Sequence, residues 1–100
     1  DNKIHFGDPE YPRYTVFSLW DTYRAAHPFY QLVYPDYNEK FVLSFLGQFD
    51  ECGRLPVWEL AGNETYCMIG NHSIPVLTNA LLDQNSRISN YRQRIERAIR

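Results

Sequence analysis

Six side chains in this 100-residue chain bring chemistry together at close spacing: Trp20, Asp21 and Arg24, and then Trp58, Glu59 and Glu64. Asp21 and Arg24 stand three residues apart, so on a helix they share one face. They either pair as a cap with a local ion pair, or jointly grip a polar ligand. Glu59 and Glu64 share the stretch 54–72 with Trp58, Asn63 and Gly62. Two carboxylates beside an indole are the equipment of a sugar site: the ring offers an apolar plate, and the carboxylates accept from hydroxyls or move protons. The plain alternative is two solvated glutamates on a loop.

Other chemistries are poorly served. His5, His27 and His72 have no ligand-like spacing, and Cys52 and Cys67 belong to no CxxC pair, which argues against a structural zinc site. The cysteines read as two free, packed thiols, although spacing leaves a disulfide open. Neither a glycine-rich phosphate loop nor a GxSxG elbow occurs.

The elements that must position these residues read as helical. After an irregular lead-in over 1–15, Ser18 and Asp21 have capping-box spacing, and Leu19, Trp20, Tyr23, Tyr30 and Val33 fit one helical face, with Pro28 as a kink or stop. Tyr34-Pro35-Asp36 is a break. Asp36 and Glu39 then open the clearest helix, with Phe41, Val42, Phe45, Leu46 and Phe49 inward and Gly53 as a left-handed stop. Residues 18–53 therefore predict a first αα-hairpin. Residues 54–72 show no sustained period and read as a functional loop. Ser73 and Pro75 start a third helix whose apolar face is Val76, Leu77, Ala80 and Leu81. A turn at Asp83-Gln84-Asn85-Ser86 leads to a fourth helix from about Ser89, with Tyr91, Ile95, Ala98 and Ile99 inward. The second hairpin thus covers 73–100. The class expected is all-α, two successive αα-hairpins with a long loop between them. A toroid of paired helices and a small four-helix bundle both satisfy that pattern.

Composition bounds the function. The net charge of −2 argues against a dedicated nucleic-acid binder, although five of the ten basic residues fall in residues 87–100. No apolar run is long enough to span a membrane. A polar start and an end inside a helix suggest an internal segment of a longer chain. Aromatic residues make up 16%, with eight Tyr and two Trp, enough either to fill a core or to build sugar platforms.

Two long runs carry a resemblance. Tyr14-Thr15-Val16-Phe17-Ser18-Leu19-Trp20-Asp21-Thr22-Tyr23-Arg24-Ala25-Ala26-His27-Pro28 resembles a signature of glycoside hydrolase family 92. So does Gly53-Arg54-Leu55-Pro56-Val57-Trp58-Glu59-Leu60-Ala61-Gly62-Asn63-Glu64-Thr65, followed by Cys67-Met68-Ile69-Gly70 and His72-Ser73-Ile74-Pro75-Val76. The similarity spans roughly residues 12–80.

The resemblance implies a bacterial, exported (periplasmic or extracellular), calcium-dependent, inverting exo-α-mannosidase acting on terminal α-1,2-linked mannose. It also implies that this chain is a fragment of an (α/α)6 barrel. By the matching motifs, Asp21 contacts the terminal mannose with Arg24 holding it. Trp20 lies in the same segment, and Trp58 and Glu59 supply platform and hydrogen-bond partner, with Asn63 and Glu64 behind them. The family's general acid and base lie in Glu-Gly-Asn and Asn-Asp-Asp-Cys-Gly motifs, which this chain lacks. No catalytic residue and no calcium ligand is therefore expected here. The expected partners are a mannose-containing glycan and the rest of the longer chain. A freestanding helical module that binds carbohydrate or an anionic partner is the alternative.

Overall fold

The computed structural model describes Ile4, Pro9, residues 12–83 and residues 87–100. His5 and most of the lead-in lie outside the described residues, as do Gln84, Asn85 and Ser86 of the expected turn. The element order is β1 (Phe17–Ser18), α1 (Leu19–Thr22), α2 (Ala26–Val33), α3 (Pro35–Cys52), β2 (Trp58–Leu60), β3 (Asn63–Glu64), α4 (Ser73–Leu82), a 3-10 turn (Arg87–Tyr91) and α5 (Arg92–Ile99). None of these helices is long and apolar enough to cross a membrane.

The expected first helix is two pieces. A continuous helix would drive the Pro28 ring into the carbonyl four residues earlier. Instead α1 ends after one turn and α2 restarts at Ala26, which places Pro28 in a first turn, where a missing N–H costs nothing. Ser18 does not cap the backbone; its hydroxyl donates to the Asp21 carboxylate. Tyr34 alone separates α2 from α3, with Pro35 as the first residue of α3. Its φ of −130° and ψ of 63° lie outside the helical region, as a residue before proline prefers. Helix α3 runs its full 18 residues to Gly53, which takes φ 75° and donates to the Phe49 carbonyl at 2.7 Å.

The core forms where α2, α3, α4 and α5 meet. Val42, Phe45 and Leu46 from α3, Leu77 and Ala80 from α4, and Ile95 from α5 are fully or almost fully buried. Part of the aromatic excess goes into this core. Phe17 meets Phe45 edge to face at 4.7 Å, Tyr14 and Tyr30 meet Phe41 at 5.2 and 5.4 Å, and His27 sits among them. Such edge-on pairs contribute about 0.5–1.5 kcal/mol each beyond burial.

The all-α expectation needs one correction. The stretch read as an irregular loop folds back on itself and onto the strand before α1, making an antiparallel sheet in the order β1-β2-β3. Strands of two or three residues are too short to show a period of two in the letters. What they need is a tight turn, and Ala61 (φ 51°) with Gly62 (φ 77°) provides it. Two successive positive φ values match the right-handed twist of a hairpin. One further expectation changes, that of the cysteines. Cys52 and Cys67 are free, but exposed rather than packed. Glu96 pairs back to Arg92 at 3.6 Å, while Arg94 reaches Asp50 on α3 at 2.5 Å.

Candidate functional site

Register brings the two motifs together. In the β1–β2 ladder Ser18 stands opposite Trp58 and Phe17 opposite Glu59. Trp20 and Asp21 follow Ser18 by two and three residues, so this pairing puts the second motif within one helical turn of them along the chain, although 37 residues separate the two tryptophans in sequence. Adjacent residues of a strand face opposite sides. Glu59 points inward, 1% exposed, while Trp58 stays half-buried on the other face.

The α1 side of this wall presents a carboxylate and an indole. Asp21 is exposed and accepts from the Ser18 hydroxyl. The Arg24 guanidinium lies over the Trp20 ring at 4.6 Å and over Tyr23 at 5.3 Å. The expected Arg24–Asp21 contact is therefore replaced, among the described residues, by cation–π stacking, which contributes about 0.5–1 kcal/mol at an exposed site. Tyr23 in turn packs against His72 at 4.3 Å, joining this patch to the start of α4. Asp21 keeps acceptor capacity beyond its one bond to Ser18, since a carboxylate takes about four.

Glu59 and Glu64 behave differently from the expected sugar contact and its backing. Glu59 accepts from the Val16 N–H at 2.6 Å, the Gly62 N–H at 2.7 Å and the Thr15 hydroxyl at 2.5 and 2.6 Å. It is buried and its acceptor sites face the chain itself. Glu64 accepts from the N–H groups of Val57 at 2.6 Å, Trp58 at 2.9 Å and Tyr66 at 2.9 Å. The Trp58 carbonyl accepts from Thr65 N–H at 3.1 Å and Thr65 Oγ1 at 2.7 Å. The Trp58 backbone is thus held on both sides. Asn63 is exposed at the hairpin, its side chain donating to the Ala61 carbonyl at 3.2 Å.

Both carboxylates hold strained backbone. Val16 (φ 65°), Ala61 (φ 51°) and Tyr66 (φ 53°) are the non-glycine residues with positive φ among those described. Each costs about 1–2 kcal/mol. Glu59 binds the N–H of Val16 and of Gly62, next to Ala61, and Glu64 binds that of Tyr66. A hydrogen bond to a charged group contributes about 1.5–3 kcal/mol, so the clamps outweigh the strain. Thr15 and Val16 stand inside the first motif but had no role legible in the sequence, because a lone hydroxyl before a strand has no spacing signal.

The site is an open wall. The cavity of about 130 Å³ between the end of α3 and the hairpin is lined by residues such as Cys52, Leu55, Asn63 and Tyr66, but not by Trp20, Asp21, Arg24 or Trp58. No cluster of three His, Cys, Asp or Glu side chains among the described residues could hold a metal ion. These residues do not fit a calcium site on their own.

Comparison with known proteins fits this geometry. The model of the glycosyl hydrolase family 92 catalytic domain matches residues 1–98. The chain belongs to glycoside hydrolase family 92. The match runs through the arginine-rich α5, beyond the 12–80 span in which the motifs are legible. A solved structure of a family 92 α-mannosidase from Bacteroides thetaiotaomicron is 38% identical, with a TM-score of 0.74, covering 86% of this chain and 12% of that one. A second structure of that enzyme, in complex with mannoimidazole, matches at 38% identity and a TM-score of 0.73 over the same shares. The chain therefore spans about an eighth of the length of these relatives. No curated protein matches it.

Proposed function

We propose that this chain is the sugar-gripping wall of a longer, exported α-mannosidase of family 92, contributing contacts to the terminal (−1) mannose but neither acid nor base. The observation that carries the reading is the pairing of Ser18 with Trp58, which unites the two family motifs in one surface. Asp21 accepts from mannose hydroxyls, the indoles of Trp58 and Trp20 bound the ring, and Arg24 braces Trp20. Glu59 and Glu64 hold the wall from behind. Helices α1–α5 are the early hairpins of an (α/α)6 barrel, and the rest of the longer chain supplies the facing wall.

The reaction is inverting hydrolysis of an α-linked, by preference α-1,2-linked, terminal mannose. Inversion needs two carboxyls about 6.5–9.5 Å apart with a water between them, and both come from outside this chain. Calcium, which this family implies, is held by residues elsewhere in the longer protein and suits an oxygen-rich site. The alternative of an anion-binding α5 is weakened by the engagement of Arg92 with Glu96 and of Arg94 with Asp50.

The longer protein is expected to release mannose from an α-1,2-mannobiose, and to lose that activity on chelation of calcium and regain it on its return. The 100 residues alone are expected to release none with calcium present. Mannose release by the isolated chain, or a longer protein inert on every α-mannoside, would overturn the proposal.

A further inference from the structure

Resting on that reading, we propose that Glu59 is a positioning residue for the sugar wall, setting the pose of Trp58 rather than touching the glycan. Its two oxygens tie together the segments on either side of β2. One accepts from the Gly62 N–H, which closes the β2–β3 turn, and the other from the Val16 N–H, which leads into β1. The Thr15 hydroxyl bridges both oxygens. β2 carries Trp58 as the next residue on the opposite face, across from Ser18. Loss of the clamp frees Val16 from its positive φ and loosens the β1–β2 ladder that pairs Trp58 with Ser18, the residue leading into Trp20 and Asp21.

The donor arrangement demands a carboxylate. Each oxygen faces a backbone N–H, so the amide of a glutamine, in either orientation, sets its own N–H₂ against one of them. Glu59→Gln therefore breaks the clamp with almost no change in volume. A merely structural role would lower stability while leaving turnover per folded molecule intact. A positioning role lowers turnover and does so through Trp58.

The test is a double-mutant cycle in the longer protein, reading kcat/KM on an aryl α-mannoside for the native protein, Glu59→Gln, Trp58→Ala and the double variant. Glu59→Gln is expected to lose about ten-fold or more, the effect of one hydrogen bond of about 1.4 kcal/mol, and Trp58→Ala, which removes the whole indole, at least as much. The double variant is expected to be no worse than Trp58→Ala alone. Should Glu59→Gln cost nothing, or cost the same factor in the Trp58→Ala background, the Glu59 proposal fails while the sugar-wall reading stands. Should Trp58→Ala alone cost nothing, the sugar-wall reading fails and takes this proposal with it. If Glu59→Gln does not fold, Thr15→Val replaces it, removing one donor and leaving the backbone bonds. Its expected loss is smaller, about three-fold, and must also vanish in the Trp58→Ala background; an additive loss refutes positioning.

Discussion

Val16 is β-branched, exposed and held at φ 65°, a conformation such residues avoid. That cost is tolerated because a carboxylate on another strand takes its N–H. Glu59 was legible as a chemically interesting residue beside a tryptophan, but not as a buried one. Nothing in the letters tells a glutamate that faces a ligand from one that faces backbone N–H groups brought from 43 residues away. His27 carries a second consequence of burial. Its ring nitrogens have no hydrogen-bond partner among the described residues, and burial among Phe17, Phe41 and Phe45 lowers its pKa from 6.5 to about 4. The unfolded chain thus binds a proton that the folded chain refuses. The folded state gains full benefit above pH 6.5 and loses it as the pH falls from 6.5 towards 4. Between pH 7 and pH 5 the loss amounts to about 2 kcal/mol. Denaturant midpoints at the two pH values should shift accordingly in the native protein and markedly less in His27→Leu. Equal shifts in both would refute the neutral, buried ring.

At the scale of elements, Gly53 ends α3 and launches the chain towards β2. A Cβ there would meet nothing within 4 Å, so only the φ of 75° opposes substitution. Gly53→Ala is expected to lower stability by about 1 kcal/mol without steric damage, measured as a denaturant midpoint shift with unchanged slope; no shift would mean that the helix end can unwind freely. This stop, the apolar stripe of α3 and the face of α4 were all legible, because long helices repeat their apolar residues and glycine marks the left-handed end. The sheet was not. Its strands are too short for a pattern, and its turn uses Ala61-Gly62 where an Asn-Gly signal would have announced a hairpin. The break between α1 and α2 was half legible: Pro28 signalled a disturbance, but not that the helix would restart two residues ahead of it.

At the scale of the whole molecule, the exposed apolar surface is uneven. Leu32 is 84% exposed on α2 and Ile69 is 83% exposed before α4, and Tyr34 and Tyr37 stand half-exposed at the α2–α3 junction. Those exposed apolar side chains are compatible with the proposed place of this chain inside a longer protein. Asp21 is exposed and Trp20 and Trp58 are partly exposed, with the rest of the longer chain proposed to stand opposite them. The central claim, that this wall grips the terminal mannose, rests most directly on Asp21. Its side chain is exposed, and its bond with Ser18 is local, so removing the charge should not unfold anything. The decisive measurement is kcat/KM of Asp21→Asn in the longer protein on an α-mannoside, with its melting temperature read alongside. The expected result is a fall of about 10- to 100-fold, the effect of a charge-assisted hydrogen bond lost from the transition state, at an unchanged melting temperature. An unchanged kcat/KM would contradict the central claim.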